Sequence, residues 1–204
     1  MINYHKTPNG FLIPKKSEDF LRINKLKDIV KKGLDHEGSG HDFKQTMKVY
    51  NNAMKIAEGE NVDLDVIKTS VLFHDYAYSE KFFEGEHGDI SAKLAKPIIE
   101  KENFAKEQVR KILLSIEKHN FWQHNESDVP IETKILRDAD RLDAIGYTGI
   151  LRAISYAINA KKNPIQSLKD QLTISFETKK GIELSNERFR VIREFIQNIE
   201  SEFN

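Results

Sequence analysis

Apolar side chains recur every third or fourth residue along most of this sequence, the period of an amphipathic α-helix rather than of a strand. Phe43, Met47, Tyr50, Met54 and Ala57 form one such stripe, and Val109, Ile112, Leu113 and Ile116 form another. Pro130, suited to a first helical turn, precedes Ile131, Ile135, Leu136, Leu142 and Ile145. Phe189, Ile192, Phe195, Ile196 and Ile199 share a face in the segment 186–203. Two shorter helices are expected: one capped by Asp63 or Asp65 and apolar on most sides through Phe73, and one from His87 through Ile98, interrupted or kinked at Pro97. No parallel-sheet pattern accompanies them. The expected fold class is therefore all-α, a helical bundle.

A chain of 204 residues suffices for one core. Residues 1–20, with Pro8, Gly10 and Pro14, read as a less regular N-terminal arm leading into a helix over 20–34. One domain then covers 21–204, with a core at 38–160 and a C-terminal helical elaboration at 161–204. Gly146 and Gly149 weaken the helix after Ile145, which can resume over 150–160. The stretch 161–185 is compatible with loop, short helix or a strand pair.

Lys and Arg together number 32, as do Asp and Glu, so the formal net charge is zero. Such a chain has no global field to attract a nucleic-acid polymer or an anionic membrane, and an anionic substrate needs a local site. The absence of cysteine removes disulfides, thiolate metal ligands and cysteine nucleophiles together. Seven histidines and many carboxylates remain, so a metal would be bound through nitrogen and oxygen. The first residues lack the long apolar run of a secretory signal, which places the expected location in the cytoplasm. A homodimer is left open.

Two His-Asp pairs occur. His74-Asp75 ends the buried run Thr69–Phe73, so both side chains can serve one ion at that helix end. His41-Asp42 stands at a helix start, where Asp42 is as plausible an N-cap as a ligand. Further on, Asp138, Asp140 and Asp143 fall within one short segment although Asp is a poor helix former. Asp140 and Asp143 share a face while Asp138 points elsewhere. A solvated face paired with Arg137 and Arg141 is the simpler reading of that run.

The blocks SGHDFKQTMKVYNNAMKIA, SVLFHD, EHGDISAKLA, SIEKHN and PIETKILRDADRLDAIGYTGILRA occur in that order, followed by ELSNERFRVIREFIQNIESEF. Together they resemble the HD-domain metal-dependent phosphohydrolase superfamily, in particular its small bacterial stand-alone members. The resemblance covers roughly residues 38–203 and implies a helical bundle holding one divalent ion, Mn²⁺, Mg²⁺, Co²⁺ or Ni²⁺. By position the implied ligands are His74, Asp75 and Asp140. The chain departs from the pattern at Gln45, where the family usually has a first-helix histidine, and at Lys48, where arginine is common. A glutamine carbonyl oxygen is a weaker ligand than imidazole for transition metals, so Gln45 implies lower metal affinity.

His87 and His119 fall in blocks whose histidines line the metal pocket in similar proteins, as phosphate contacts or as ligands of a second metal. His41, one helical turn before Gln45, is read as a substrate-side or capping residue, because reaching the metal would need a shift of the helix axis. Lys48 and Arg141 offer positive charge to a phosphate, and Arg141 can equally pair with Asp138. Tyr76, Tyr78, Phe121 and Trp122 stand near these histidines, where they either anchor loops or stack on a base. The implied activity is metal-dependent hydrolysis of a small phosphorylated metabolite, with a nucleotide favoured. Asp75 would orient the attacking water, and Lys48, His87 and His119 would neutralise phosphoryl charge. The alternative is a catalytically weakened relative that binds a nucleotide or a partner.

Overall fold

The computed structural model describes residues 4–6, 12–35, 41–120 and 128–202. The Gly38–Gly40 turn, Phe121 and Trp122 lie outside them. Two short antiparallel strands, β1 (Tyr4–Lys6) and β2 (Leu12–Pro14), pair with His5 opposite Ile13. All other regular structure among the described residues is helical. Helix α1 spans Lys15–Gly33, α2 Phe43–Ile56, α3 Leu64–Phe73, α4 His87–Ile99 and α5 Lys106–Lys118. Helix α6 spans Ile131–Asp143, α7 Gly146–Asn159, α8 Pro164–Gln171 and α9 Lys179–Glu202. A 3₁₀ turn, Tyr76–Ser79, follows α3.

The expected all-α class is the observed one, since apolar stripes at helical spacing can be buried only by packing helix against helix. Helix α2 lies along α6, α5 packs on α3 and α4, and α7 is held by α8 and α9. Val49, Ala53 and Ile56 of α2, Val71 and Leu72 of α3, Ile112 and Ile116 of α5, and Ile135, Ala139 and Leu142 of α6 are fully buried in one core. Side-chain hydrogen bonds set the register between helices. Asn52 donates to the Ala139 carbonyl at 3.1 Å, and Arg188 of α9 donates to Asn52 Oδ1 at 2.9 Å and to the Leu142 carbonyl.

Two local boundaries need correction, and one open stretch takes a definite form. Helix α1 starts at Lys15, so the last residues of the expected arm are already helical. Within 161–185 the structure has no strand pair: Asn163 accepts from the N–H groups of Ile165 and Gln166 and caps α8, with Pro164 in its first turn. Helix α9 begins at Lys179, seven residues ahead of the expected segment 186–203. Its start is organised by Asp138, which is fully buried and accepts from the N–H groups of Glu177 and Thr178 and from Thr178 Oγ1 at 2.6 Å. Thr178 Oγ1 in turn accepts from Gly181 N, and a Cβ on Gly181 would lie 2.3 Å from Asp138 Oδ2. Only glycine fits there. Between α6 and α7 the chain turns at Gly146, whose φ of +78° is open to glycine at little cost.

Candidate active site

Helix α3 ends where its buried apolar run ends, and His74 and Asp75 are the next two residues. The 3₁₀ turn that follows is pinned by Ser91 of α4, whose hydroxyl accepts from Ala77 N at 2.9 Å. His74 is completely buried. Its Nδ1 donates to the Val71 carbonyl at 2.7 Å, which leaves Nε2 with a lone pair in the neutral ring. That Nε2 has no hydrogen-bond partner, yet lies 3.3 Å from Asp75 Oδ2 and 4.0 Å from Asp140 Oδ1. A lone pair facing two carboxylate oxygens requires a positive charge between them, supplied by a proton or by a cation. Burial alone would lower the His74 pKa, but Asp75 and Asp140 outweigh it and push it up to about 9.

Asp75 is the hub. Burial opposes its charge, but the positive charge favoured on His74 and the nearby imidazoles of His119 and His41 hold its carboxyl well below the usual range. Its Oδ2 meets His41 Nδ1 at 2.8 Å and His74 Nε2 at 3.3 Å. Its Oδ1 meets His87 Nε2 at 3.5 Å and His119 Nε2 at 3.8 Å. Asp75, His87 and His119 thus form a second cluster of possible ligand atoms around the same carboxylate.

This second cluster is internally satisfied. His119 Nδ1 donates to the Ile116 carbonyl at 2.6 Å, so its Nε2 accepts. His87 Nδ1 accepts from Asn120 Nδ2 at 3.1 Å, so its Nε2 carries the proton and donates to His119 Nε2 at 3.1 Å. Burial first, and the adjacent His119 second, lower the His87 pKa and keep that ring neutral. Asn120 also donates to Glu86. Its role as the group that sets the His87 tautomer carried no signal in the sequence beyond its place beside His119.

His41, His74, Asp75, His87, His119 and Asp140 therefore converge, while Lys48 and Arg141 face other neighbours. Lys48 lies beside Asp143 and lines a cavity of ≈ 390 Å³ with Asn51, Gly146 and Arg188. Arg141 donates to Glu177 at 2.9 Å and to the Ser175 carbonyl, and lies 3.6 Å from Asp138. It braces the segment before α9, as its alternative pairing with Asp138 foresaw. Gln45 is buried near Asp143, and its Oε1 has no partner. Asp143 is engaged on its other side by Arg152. His41 is not the cap, because Asp42 accepts from Gln45 N at 2.8 Å and ends the helix ahead of it.

Residues 43–145, which contain His74, Asp75, His87, His119 and Asp140, match the HD domain family. The chain belongs to the HD-domain family. The HD-family chain is 26% identical to the YpgQ protein of Bacillus subtilis over 91% of its own length and 95% of that protein's. A predicted HD superfamily hydrolase from an uncultured Thermotogales bacterium superposes with a TM-score of 0.68 at 26% identity, covering 89% of this chain and 92% of that one. The B. subtilis YpgQ structure solved in complex with ADP has a TM-score of 0.69 at 24% identity over 91% and 96% of the two chains. An HD-superfamily hydrolase of Bacillus thuringiensis reaches 0.75 at 24% identity over 91% and 98%, a likeness of fold.

Proposed function

We propose that this HD-domain protein is a metal-dependent phosphohydrolase acting on a small phosphorylated metabolite, with a nucleotide as the substrate class. The observation that carries the reading is the buried, unpartnered His74 Nε2 facing Asp75 and Asp140. Nitrogen and carboxylate oxygen are donors that suit Mn²⁺, Co²⁺ or Ni²⁺, and the second carboxylate extends the set to Mg²⁺. His74, Asp75 and Asp140 would hold one such ion, which when bound neutralises phosphoryl charge and acidifies water. The ADP bound to B. subtilis YpgQ supports a nucleotide here.

The chain's own residues supply the rest. Asp75, ionised at any physiological pH, spans both clusters and orients whatever lies between them. The His87–His119 pair shares one proton beside Asp75 Oδ1 and is placed to take a proton from water or give one to the leaving oxygen. Tyr78, stacked on His41 and 5.7 Å from His87, forms an aromatic wall.

Phosphate release from a nucleotide panel with added Mn²⁺, Mg²⁺, Co²⁺ or Ni²⁺ tests the reading, against an Asp140→Ala control. Gln45 favours one other reading, a weakened relative that binds a nucleotide without turnover. Nucleotide binding by calorimetry with phosphate release no higher than the control would select it.

A further inference from the structure

Gln45 leaves the family pattern one imidazole short, and helix α2 carries no other histidine. The nearest one in sequence is His41, which lies outside α2, beyond the extended Asp42 that caps it. Because it precedes the helix, the direction of its side chain is not bound by helical periodicity. The backbone there turns the ring towards α3 rather than along α2. His41 Nδ1 lies 2.8 Å from Asp75 Oδ2, the same oxygen that His74 Nε2 approaches at 3.3 Å. The ring is only part-buried but clamped, lying flat on Tyr78 with centroids 4.1 Å apart and planes within 1°.

We propose that His41 replaces the missing first-helix imidazole, so that a divalent cation rests on His41, His74, Asp75 and Asp140. This inference rests on the metal-dependent reading above and specifies its ligand set. Adjacent ligand atoms around a six-coordinate divalent ion, each at about 2.1 Å from it, lie about 3 Å apart, and opposite ones about 4 Å. Three neighbouring contacts are of that order, His41 Nδ1 to Asp75 Oδ2 at 2.8 Å, His74 Nε2 to Asp75 Oδ2 at 3.3 Å and His74 Nε2 to Asp140 Oδ1 at 4.0 Å, and the side chains would turn inward to close on one ion. In the metal-free chain the His41 Nδ1–H donates to Asp75, and that proton stands where the cation would bind.

The test separates a ligand from a hydrogen-bond donor. Mn²⁺ binding to the full chain is measured by calorimetry for wild type, His41→Asn, His41→Ala, His41→Ala/Gln45→His, Gln45→His, Gln45→Ala and Asp140→Ala, with circular dichroism confirming the fold. Asparagine keeps an N–H where Nδ1–H stood, yet His41→Asn is expected to weaken Mn²⁺ by about tenfold or more, as His41→Ala does. Gln45→Ala is expected to cost less than either. Gln45→His should restore most of the affinity in the His41→Ala background and add less to wild type, since one imidazole position cannot be filled twice. Wild-type affinity in His41→Asn, or an equal gain from Gln45→His in both backgrounds, overturns the proposal while leaving the metal site in place. Unchanged affinity in Asp140→Ala as well places the metal away from His74 and Asp140, and no Mn²⁺ binding by wild type overturns the metal-dependent reading itself.

Discussion

His87 Nε2 and His119 Nε2 face each other at 3.1 Å, and the outer nitrogen of each ring is committed, to Asn120 and to the Ile116 carbonyl respectively. The two rings therefore hold a single proton between them and cannot both be charged without losing a bond. Such a pair, within 4 Å of Asp75 Oδ1, is suited to proton exchange in the proposed hydrolysis.

Replacing His119 with glutamine is expected to lower phosphate release by about 100-fold, the scale of a lost proton-transfer group. Mn²⁺ affinity on the His74 side should change less. Steady-state turnover paired with calorimetry checks this, and parallel losses in both would count against a proton-transfer role.

Mn²⁺ should raise the melting temperature, because an ion that binds only the folded chain stabilises it by mass action. At about 100 times its dissociation constant the gain is about 2.7 kcal/mol. Asp140→Ala should remove the shift. Differential scanning with and without EDTA measures it, and an equal shift in the variant would place the metal elsewhere.

The pH dependence of the metal-free protein follows from His74. Its folded-state pKa, pushed up to about 9 from the ordinary 6.5 where Asp75 and Asp140 outweigh burial, means that its stabilisation is complete below pH 6.5. That contribution is lost as pH rises through about 9. Asp75 acts in the opposite sense: its depressed value gives stability that is present above 3.8 and lost as pH falls through the folded-state value. Melting in EDTA should accordingly decline between pH 6.5 and 9. Mn²⁺ affinity should climb over the same window, because the ion needs the unprotonated ring. A flat melting profile would show that His74 does not gain its proton from folding.

Asp138→Ala strips a buried carboxylate from two backbone N–H groups, the Thr178 hydroxyl and the nearby Arg141. The expected cost is about 3 kcal/mol in urea unfolding, since the donors left behind are desolvated and unpaired. Mn²⁺ affinity should hold, because Asp138 faces α9 and not the histidines. Loss of binding without loss of stability would instead make Asp138 part of the site.

Much of this was legible from residue order. The stripes on α2, α5 and α6 announced helices because core-facing residues must repeat with the helical turn, and Asp42 and Asp63 do cap as their positions suggested. The convergence of His74, Asp75, His87, His119 and Asp140 was suggested only by the resemblance to a family. Spacing within one helix says nothing about which helices meet. The early start of α9 escaped because its signal, Thr178 held by Asp138, lies 40 residues away along the chain. The destination of Arg141 escaped for the same reason, with Glu177 supplied by the segment before α9.

By itself the sequence determined an all-α chain with nitrogen and oxygen as its only strong metal donors, because helical periodicity and the absence of cysteine are local properties that any arrangement must obey. Tertiary structure alone decided that His41 turns from the end of α2 onto Asp75, that Lys48 and Arg141 serve other neighbours, and that one carboxylate joins four histidines. Those are distances between residues far apart in the chain, set by how helices pack in three dimensions, and no one-dimensional pattern contains them.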